Sequence, residues 1–440
     1  IGKTLDGVSI FEIGAKLNKF IVDNDISKVI ISSNKISVNR QAYLNKYFLD
    51  LNIQILKLPP VESWINGIPN INNLKGIKIE DLLNRGVIKI DNKKNELLYF
   101  GKSILVTGSA GSIGSEIVRQ VIKFKPTRII LLDNSETSMF NFKEELLLIS
   151  QNIELLFFVD SVTDKKAVNE IFYRYKIDIV FHAAAYKHVP LVENNPIEGI
   201  RNNIFSTEAI CRASKETKSV KEVILISSDK AVRPANIMGA TKRVSELIIQ
   251  GYAEDLNFEN TSKIFSMVRF GNVIDSSGSV IPLFKKQIQK GGPITITHRD
   301  IYRFFMTIDE AAQLVIQSAE IAKGNEVFLL DMGEQVKITD IAKQLIKING
   351  LSLKNKLNPN GDIEIKYIGL RPGEKLKEEL LINSKASKTV HPLIYSAKEC
   401  SIPLKDLISK LKELESSCKD QDISAVLKSL KDLVPEWTNF

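Results

Sequence analysis

The stretch ILVTGSAGSIGSEI, residues 104–117, constrains the fold of this chain more than any other feature. Residues 103–106, which are mostly apolar, predict a strand, and Gly108, Gly111 and Gly114 lie between this strand and a predicted helix. Glycines at this spacing permit a tight turn, a close approach of the backbone to a pyrophosphate, and close packing of the helix on the strand. The pattern therefore predicts a dinucleotide site at a helix N-terminus.

The next predicted strand, residues 128–132, ends in Asp133. An acidic side chain at this position can accept hydrogen bonds from both ribose hydroxyls and would repel a 2′-phosphate, so NAD is favoured over NADP. Asp133 could instead cap the turn that begins at Asn134 and Ser135, and this alternative stays open.

Two later strands continue the alternation. Residues 155–159 end in Asp160, which could reach an adenine edge, and residues 177–182 end in three alanines, 183–185, against which a cofactor could lie. Strands that alternate with helices at this rhythm predict βαβ units. We therefore expect an α/β fold with a doubly wound parallel sheet of the Rossmann type.

A second polar stretch, SSDKAVRPANIMGATKR at residues 227–243, follows the apolar strand predicted at residues 223–226. Its first polar side chains thus leave the carboxyl end of a strand, which is where open α/β sheets place their ligand crevice. Further along, Met238 and Lys242 lie four residues apart on one face of a predicted helix. The polar residues at the strand end are Ser228, Asp229 and Lys230.

Composition narrows the class of protein. The net charge of +8 comes from 60 basic and 52 acidic residues that are interleaved along the chain, which favours a solvated surface over a nucleic-acid site. Three widely spaced cysteines predict a reducing compartment and no disulfide framework. The four histidines lack metal-ligand spacing, so no metal site is predicted. No run of 18 apolar residues is present, so no membrane span is predicted.

Three motifs occur in order: TGSAGSIG, HAAAYKHVP at residues 182–190, and SSDKAVRPANIMGATKR. Together they resemble the extended short-chain dehydrogenase/reductases, and within them the CapD-like polysaccharide-biosynthesis branch of bacterial UDP-N-acetylglucosamine 4,6-dehydratases. The resemblance covers residues 98–395. The residues before it are similar to the α/β segment of the long family members, which usually carry transmembrane helices ahead of it. Because the first residue is Ile1, we expect a fragment of a longer protein.

Four domains are expected from the motifs and the resemblance. Residues 1–97 form a partial N-terminal α/β domain without catalytic motifs, with a linker at residues 91–95. Residues 98–265 form the NAD-binding Rossmann domain with the catalytic loop, and residues 266–395 form a nucleotide-sugar subdomain. Leucines at helical spacing predict an amphipathic helix in the tail, residues 396–440.

The resemblance also implies catalytic roles. The general family uses a Ser or Thr, a Tyr and a Lys, but here Met238 occupies the Tyr position, and a thioether cannot exchange a proton. By resemblance, Asp229 is the acid for the departing C6 hydroxyl, Lys230 is the base for the C5 proton, and Lys242 holds the cofactor. The acceptor of the C4 hydroxyl proton stays open between Asp229, Ser228 through a water, and Tyr186. The residues assigned to catalysis are Ser228, Asp229, Lys230, Met238 and Lys242.

Two sets of binding residues follow from the same resemblance. Arg303 and Arg371 match arginines that clamp the pyrophosphate, a role that suits guanidinium forks. Asp275 departs from the small residue usual at its position, which leaves the shape of its loop open. The expected NAD contacts are Gly108, Ser109, Gly111, Ser112, Ile113, Gly114, Asp133, Asn134, Asp160, Ser161, Ala183, Ala184, Ala185 and Lys242. The expected substrate contacts are Tyr186, Lys187, Asn272, Val280, Pro282, Phe284, Arg303, Arg371 and Glu374.

The function implied is the NAD-dependent dehydration of UDP-N-acetylglucosamine to a UDP-4-keto-6-deoxy sugar for surface glycans, with retention at C5. Two alternatives stay open. One is a UDP-N-acetylhexosamine epimerase, and the other is a non-catalytic NAD-dependent scaffold, which is suggested by Met238 at the position of the catalytic Tyr. We expect a homodimer formed through the helices that follow Pro196 and contain Met238. The expected location is the bacterial cytoplasm at the inner face of the membrane, with membrane contact only through a segment absent from this chain and with no nucleic-acid partner.

Overall fold

Nine strands among the described residues form the central sheet in this computed structural model. Several are mostly apolar, and all five residues of SILVT and of EVILI are buried, as in parallel sheets that are covered on both faces. The strands are β1 Ser103–Thr107, β2 Arg128–Asp133, β3 Glu154–Val159, β4 Ile179–His182, β5 Glu222–Ile226, β6 Ile264–Arg269, β7 Val327–Leu330, β8 Ser387–Lys388 and β9 Ile394–Ala397. The structure describes residues 4–5, 8–32, 36–51, 53–58, 75–77, 79–82, 91–150, 152–381 and 386–438.

The strand order across the sheet is β8-β9-β7-β6-β5-β4-β1-β2-β3. Strands β1 to β7 pair in parallel, whereas β9 runs antiparallel to both β7 and β8. Chain order reverses between β1 and β4, where Thr107 lies opposite His182. The predicted doubly wound parallel sheet is therefore confirmed, and its ligand crevice is expected at the carboxyl ends of β1 and β4.

Helices cover both faces of this sheet. Alternate residues of β1 enter different hydrophobic clusters, since Leu105 packs on one face while Ile104 and Val106 pack on the other. The α-helices are Ala15–Asp23, Val38–Asp50, Asn92–Tyr99, Ser112–Ile122, Glu136–Ile149, Lys165–Tyr175, Val189–Asn194, Pro196–Ile200, Ser206–Glu216, Ile237–Phe258, Val280–Gln289, Ile308–Ile321, Ile338–Ile348, Leu404–Lys419 and Ile423–Leu433. Within the described residues, none is long and apolar enough to cross a bilayer.

The chain divides into two compact units. The larger unit comprises Ile88–Leu283, Asp300–Lys337 and Gly369–Phe440, and it contains the nine-stranded sheet. Its short strands pair Asn272–Val273 with Phe305–Met306 and Tyr302–Arg303 with Val336–Lys337.

The smaller unit comprises Ile1–Val87, Phe284–Arg299 and Ile338–Ile368. Its described residues form three small sheets and a hydrophobic cluster that includes Ile21, Ile53 and Ile55. Its strands are Thr4–Leu5, Val8–Ser9, Lys28–Ile31, Gln54–Lys57, Lys75–Gly76, Ile294–Ile296, Leu353–Lys354 and Ile363–Tyr367. The domain boundaries expected at residues 97, 265 and 395 stay a prediction.

Local predictions in two segments need revision. Residues 91–95, predicted as a linker, begin the helix Asn92–Tyr99, because the Asp91 side chain accepts a hydrogen bond from the Lys94 backbone N–H and caps it. The tail forms two amphipathic helices rather than one, Leu404–Lys419 and Ile423–Leu433, and both pack into the hydrophobic cluster that contains Met238.

The packing of the tail also bears on the expected dimer surface. Helix Ile237–Phe258 is buried along most of its length within this single chain. The tail covers it, since a Cβ built on Gly251 would lie 3.3 Å from Leu407 Cδ2 and from the Ile402 carbonyl oxygen. Most of the helix that contains Met238 is therefore covered within its own chain, which leaves it little surface for a second copy, and the expected homodimer stays a prediction.

Candidate active site

The glycine turn between β1 and helix Ser112–Ile122 has the tight geometry that its sequence predicts. Gly108 has a φ of +62°, and a Cβ there would lie 2.7 Å from the backbone of Ala184 at the end of β4. A Cβ on Gly114 would overlap the carbonyl oxygen of Gly108. Glycine is thus required at both positions, by backbone conformation at the first and by close helix packing at the second.

The floor of this turn carries polar atoms suited to a phosphate-bearing ligand. Gly111 is the N-cap of the helix, so the N–H groups of its first turn point into the crevice. The Ser109 hydroxyl is buried and has no hydrogen-bond partner among the described residues. The Ser112 hydroxyl accepts a hydrogen bond from the Ser277 backbone N–H at 3.1 Å. These features are compatible with a bound dinucleotide.

Asp133 lies at the end of β2 and next to the glycine turn. Its Oδ2 accepts a hydrogen bond from the Ala110 N–H at 3.0 Å, and its Oδ1 accepts one from the Ser135 N–H at 2.9 Å. The turn-capping alternative is therefore seen in the structure. It leaves room for a ribose contact, because an ionised carboxylate offers about four acceptor sites. Asn134 and Asp160 are exposed, and Asp160 Oδ1 accepts from the Ser161 N–H at 2.7 Å.

The loop after β4 carries the half-buried residues Ala183–Ala185 and the exposed side chain of Tyr186. Asn203 fixes this loop: its Oδ1 accepts from the Tyr186 N–H at 2.7 Å, and its Nδ2 donates to the Tyr186 carbonyl and to Thr241 Oγ1. Sequence reasoning gave Asn203 no such part. The pKa of the neighbouring Lys187 is lowered by partial burial of its amino group and by the charge of Lys230.

Asp229 and Lys230 form an ion pair in the short 3₁₀ turn that follows β5. Asp229 is fully buried, and its Oδ1 accepts hydrogen bonds from Lys230 Nζ and from the Ser228 hydroxyl, both at 2.9 Å. Its Oδ2 is buried without a hydrogen-bond partner in the described part of the chain. Lys230 Nζ also donates to Asn272 Oδ1 at 3.1 Å. The structure thus brings four predicted residues together and leaves one carboxylate oxygen unused.

Met238 and Lys242 lie on the helix behind this pair. Met238 is only 3% exposed and packs into a hydrophobic cluster. Lys242 Nζ donates to the Ile226 carbonyl at 2.7 Å, and burial lowers its pKa to about 8 although Glu246 opposes the shift. The structure places Met238 among packing residues and Lys242 at the end of β5.

The loop after Asn272 contains Asp275, the residue whose type left the shape of this loop open. Asp275 has a φ of +54°, a left-handed conformation that Asp adopts more readily than most side chains, which accounts for its unusual residue type. Gly278 has a φ of +67° and leaves no room for a Cβ against the His188 imidazole. This loop therefore contacts both His188 and, through Ser277, the glycine turn.

The remaining predicted substrate residues differ in their accessibility. Val280 and Pro282 are half-buried in helix Val280–Gln289, but Phe284 on the same helix is fully buried and presents no face to a ligand. Arg371 is exposed, and its backbone N–H donates to Glu374 Oε2 at 3.2 Å.

Arg303 points inward. It is 7% exposed, and its guanidinium donates to the backbone carbonyls of Tyr302, Lys375 and Leu376. Its nearest carboxylates are Glu374 at 3.8 Å and Glu378 at 3.8 Å. Several donors that the clamp prediction would direct at a pyrophosphate are therefore engaged within the chain in this structure.

Glu378 is the site residue that sequence reasoning missed. Its side chain is 5% exposed, and its Oε2 is buried without a hydrogen-bond partner in the described residues. Burial raises its pKa, while the charge of Lys230 opposes the shift. The stretch KLKEEL gave no signal, because only the fold buries one of its two adjacent glutamates and brings it within 3.8 Å of Arg303. We call Asp229, Lys230, Arg303 and Glu378 the strand-end cluster.

A second buried ionic group is linked to Ser227 through Glu246. It consists of Arg243, Glu246, Arg269 and Glu399, and we call it the anchor cluster. Arg269 donates to both oxygens of Glu246 at 2.6 Å and to those of Glu399 at 2.8 and 2.6 Å. Arg243 donates to Glu246 at 3.2 Å, and the Ser227 hydroxyl donates to Glu246 at 2.6 Å. Burial alone would raise the pKa of Glu246, but the two arginines lower it.

No group of three or more His, Cys, Asp and Glu side chains among the described residues is arranged to hold a metal ion. The polar groups that converge in the crevice are instead a cofactor floor, an ion pair with a free carboxylate oxygen, and the loop after Asn272.

Comparison with known proteins identifies relatives of this arrangement. The profile of a family described as polysaccharide biosynthesis protein matches residues 104–399. The capsular polysaccharide biosynthesis protein CapD of Staphylococcus aureus is 44% identical over 87% of this chain and 64% of its own length, so the chain spans less than two thirds of that relative. An X-ray structure of Pen from Bacillus thuringiensis is 33% identical, with a TM-score of 0.61 over 70% of this chain and 91% of its own.

Two other relatives have names that state a reaction. A UDP-N-acetylglucosamine 4,6-dehydratase (inverting) of Campylobacter jejuni is 32% identical over 78% of this chain and 96% of its own length. A UDP-glucose 4-epimerase of Rickettsia canadensis is 32% identical over 66% of this chain and 81% of its own. The relatives thus include both dehydratases and epimerases that act on nucleotide sugars.

Proposed function

Because the chain belongs to the polysaccharide biosynthesis protein family, we propose that it is an NAD-dependent dehydratase. Its substrate is UDP-N-acetylglucosamine, and its product is a UDP-4-keto-6-deoxy-N-acetylhexosamine for surface glycans. The observation that carries the proposal is the Asp229–Lys230 pair at the carboxyl end of β5, with one buried carboxylate oxygen left free. Dehydration needs an acid and a base side by side, and this pair supplies both.

The crevice residues fit NAD. The first helical turn after Gly111 would face the pyrophosphate, the unpartnered Ser109 hydroxyl would donate to it, and Asp133 would accept from the ribose. Lys242, whose pKa burial lowers to about 8, would hold the nicotinamide ribose. When bound, NAD supplies a hydride acceptor for C4 and a hydride donor for C6.

Oxidation at C4 needs an acceptor for the C4 hydroxyl proton. We assign it to Asp229, because its Oδ2 is buried and unpartnered, whereas the Ser228 hydroxyl already donates to Oδ1 and Tyr186 is 45% exposed. Asp229 then carries the proton that the leaving C6 hydroxyl requires. The C4 hydroxyl proton thus departs in the water that is expelled.

Elimination also needs a base for the C5 proton, which the adjacent C4 ketone makes acidic. Lys230 Nζ takes this proton as the C5–H bond breaks, the C5–C6 double bond forms and the C6–O bond breaks. After hydride addition at C6, Lys230 returns the proton to C5. General acid and base groups of this kind each contribute about 10²- to 10⁴-fold to the rate.

Product analysis in deuterated water tests the reaction. We expect UDP-N-acetylglucosamine and NAD to give a product lighter by one water, with deuterium at C5, and we expect Lys230→Met to give at least about 100-fold less. Retention at C5 is the stereochemical outcome proposed here. The C. jejuni relatives are named inverting, which makes inversion the competing outcome. A product inverted at C5 would refute retention but would still support dehydration. Unchanged mass would refute dehydration.

Epimerisation is the second candidate, and the R. canadensis relative is the observation that favours it. An epimerase would keep the substrate mass and change the ring-proton couplings at C4. It would also tolerate Lys230→Met better than a dehydratase, because C5 then keeps its proton throughout.

Assembly and location belong to the same proposal. We expect a homodimer that uses a surface other than helix Ile237–Phe258, and activity in the bacterial cytoplasm at the inner face of the membrane. Light scattering of the purified chain tests the homodimer, and a measured mass of one copy would contradict it.

A further inference from the structure

Asn272 contacts the amine of Lys230 from a separate element of the chain. Its Oδ1 accepts a hydrogen bond from Lys230 Nζ at 3.1 Å. The backbone of Asn272 is itself fixed, because its N–H donates to the Phe304 carbonyl at 3.1 Å and the strand Asn272–Val273 pairs in parallel with Phe305–Met306. Asn272 is thus placed at the amine by contacts that do not involve its side chain.

The segment that leads into Asn272 runs along the turn that carries Asp229 and Lys230. The Asp229 N–H donates to the Phe270 carbonyl at 3.1 Å. Gly271 permits this close approach, because a Cβ there would lie 3.0 Å from Asp229 Oδ2. The Asn272 side chain therefore meets Lys230 from a backbone that is hydrogen-bonded to the same turn.

The chemistry of the two side chains determines which end of the amide faces Lys230. A lysine ammonium has three donors and no acceptor, so the amide atom beside it is the oxygen Oδ1 rather than the nitrogen Nδ2. Nδ2 makes no hydrogen bond within the described residues. The substrate contact that the resemblance implies for Asn272 would therefore use Nδ2, whereas Oδ1 is already used by Lys230.

The acceptors around Lys230 Nζ leave one of its three positions open. Asp229 Oδ1 at 2.9 Å and Asn272 Oδ1 at 3.1 Å accept two N–H groups, and the third has no acceptor in the part of the chain that the structure describes. Both oxygens stay acceptors through the proposed reaction, because an amide oxygen carries no proton and Asp229 receives its proton on Oδ2. A neutral amine has two N–H groups and one lone pair, so the lone pair takes the open position.

We propose that Asn272 is a positioning residue that directs the lone pair of Lys230 to the one position from which it takes the C5 proton, an inference that rests on the proposed dehydration. Asn272 itself exchanges no proton. Without its oxygen, the amine keeps one acceptor, and the lone pair can occupy either of two positions at the end of a flexible four-carbon stem. A reacting group that is misplaced by about 1 Å can cost about 100-fold in rate.

Asn272→Leu removes the acceptor and keeps a side chain of similar size. We expect the kcat for dehydration to fall about 10- to 100-fold, whereas the loss of a substrate contact alone would raise the KM. We also expect the reduced cofactor to accumulate in a single turnover, because oxidation at C4 uses Asp229 and only the later removal of the C5 proton slows. Asn141→Leu is the matched control: this asparagine is exposed on helix Glu136–Ile149, so its replacement leaves both steps unchanged.

Asn272→Asp keeps the acceptor and places a negative charge beside Lys230. The new carboxylate raises the pKa of Lys230, and Lys230 removes the C5 proton as a neutral amine. We therefore expect turnover to fall about tenfold at neutral pH and the loss to shrink as pH rises. The variant keeps the other charged groups that act on Lys230, which are Asp229, Glu378, Arg303 and Lys187.

A measurement without NAD or substrate separates this inference from the proposed function. Trace labelling of amines across pH, read by peptide mass, gives the titration midpoint of Lys230. We expect a higher midpoint in Asn272→Asp and an unchanged one in Asn141→Leu. An unchanged midpoint in Asn272→Asp, or a raised KM at unchanged kcat in Asn272→Leu, would overturn the positioning role and leave dehydration standing. A wild-type chain that forms no dehydrated product would overturn the proposed function and this role with it, even where the midpoint shifts.

Discussion

Two buried ionic clusters lie close to each other around the end of β5, and they are built differently. In the anchor cluster, Arg269 donates to both oxygens of Glu246 and both of Glu399 at 2.6–2.8 Å. In the strand-end cluster, one oxygen of Asp229 and one of Glu378 are buried without a hydrogen-bond partner in the described residues. One cluster has its acceptors satisfied, and the other keeps two carboxylate oxygens free.

The difference separates structure from chemistry. A fully paired buried network resists the movement of protons, because every charge is matched, as the lowered pKa of Glu246 shows. Unpaired buried carboxylate oxygens cost stability, and they persist where a ligand or a transferred proton uses them. The anchor cluster joins strand β6, helix Ile237–Phe258 and the segment after β9, whereas Asp229 and Lys230 of the strand-end cluster lie in the turn that follows β5.

The distinction between the two clusters can be tested by replacing one carboxylate in each cluster with the amide of the same shape. We expect Asp229→Asn to lower dehydration by about 10²- to 10⁴-fold with little change in the free energy of unfolding. We expect Glu246→Gln to lower the free energy of unfolding by about 3–5 kcal/mol, because it leaves buried arginines short of a partner, with little change in turnover per folded molecule. Denaturant titration and product formation measure the two effects.

The opposite pattern would end the distinction between the clusters. If Glu246→Gln removed turnover at unchanged stability, the anchor cluster would belong to the chemistry. If Asp229→Asn unfolded the chain, the strand-end cluster would be structural.

Lys242 is a buried lysine that belongs to neither cluster, and its amino group donates to the Ile226 carbonyl. It therefore shows what burial does to a charged group beside the two clusters. Burial lowers its pKa from 10.5 to about 8, so between these pH values the folded state binds fewer protons than the unfolded state and stability rises with pH. Lys242→Met removes this dependence. Both proteins are measured in the absence of NAD. We expect the free energy of unfolding of the wild type, minus that of Lys242→Met, to rise by about 3 kcal/mol between pH 8 and pH 10.5.

Denaturant titrations of both proteins at several pH values give this difference directly. The comparison between two proteins cancels the titration of all other groups. A difference that stays constant from pH 7 to 10.5 would show that Lys242 keeps its ordinary pKa in the fold.

The sequence predicts those parts of the site that are encoded by neighbouring residues. The glycine turn, the acidic end of β2 and the Asp229–Lys230 pair each follow a strand directly, so the strand pattern and the polar residues together place them at one edge of the sheet. The same logic predicted the parallel sheet, because its buried strands each contain a run of consecutive apolar residues, such as ILV in SILVT and VILI in EVILI.

The parts that were missed depend on contacts between distant segments. The inward orientation of Arg303, the burial of Phe284 and the burial of Glu378 near Arg303 are set by packing. The cover that the tail forms on helix Ile237–Phe258 is likewise set by packing. A linear pattern carries no information about which of two adjacent glutamates enters the core.

Met238 gives the smallest expected effect and tests whether the chemistry stays within the strand-end cluster. The residue is 3% exposed in a hydrophobic cluster, and the exchange of Met for Leu in a core usually costs less than about 1.5 kcal/mol. Because a thioether exchanges no proton, we expect Met238→Leu to keep turnover within about threefold and to leave the C5 stereochemistry of the product unchanged. Product formation and NMR of the product measure this. A folded Met238→Leu variant without turnover would place the sulfur in the reaction, and the assignment of the proton transfers to Asp229 and Lys230 would then be wrong.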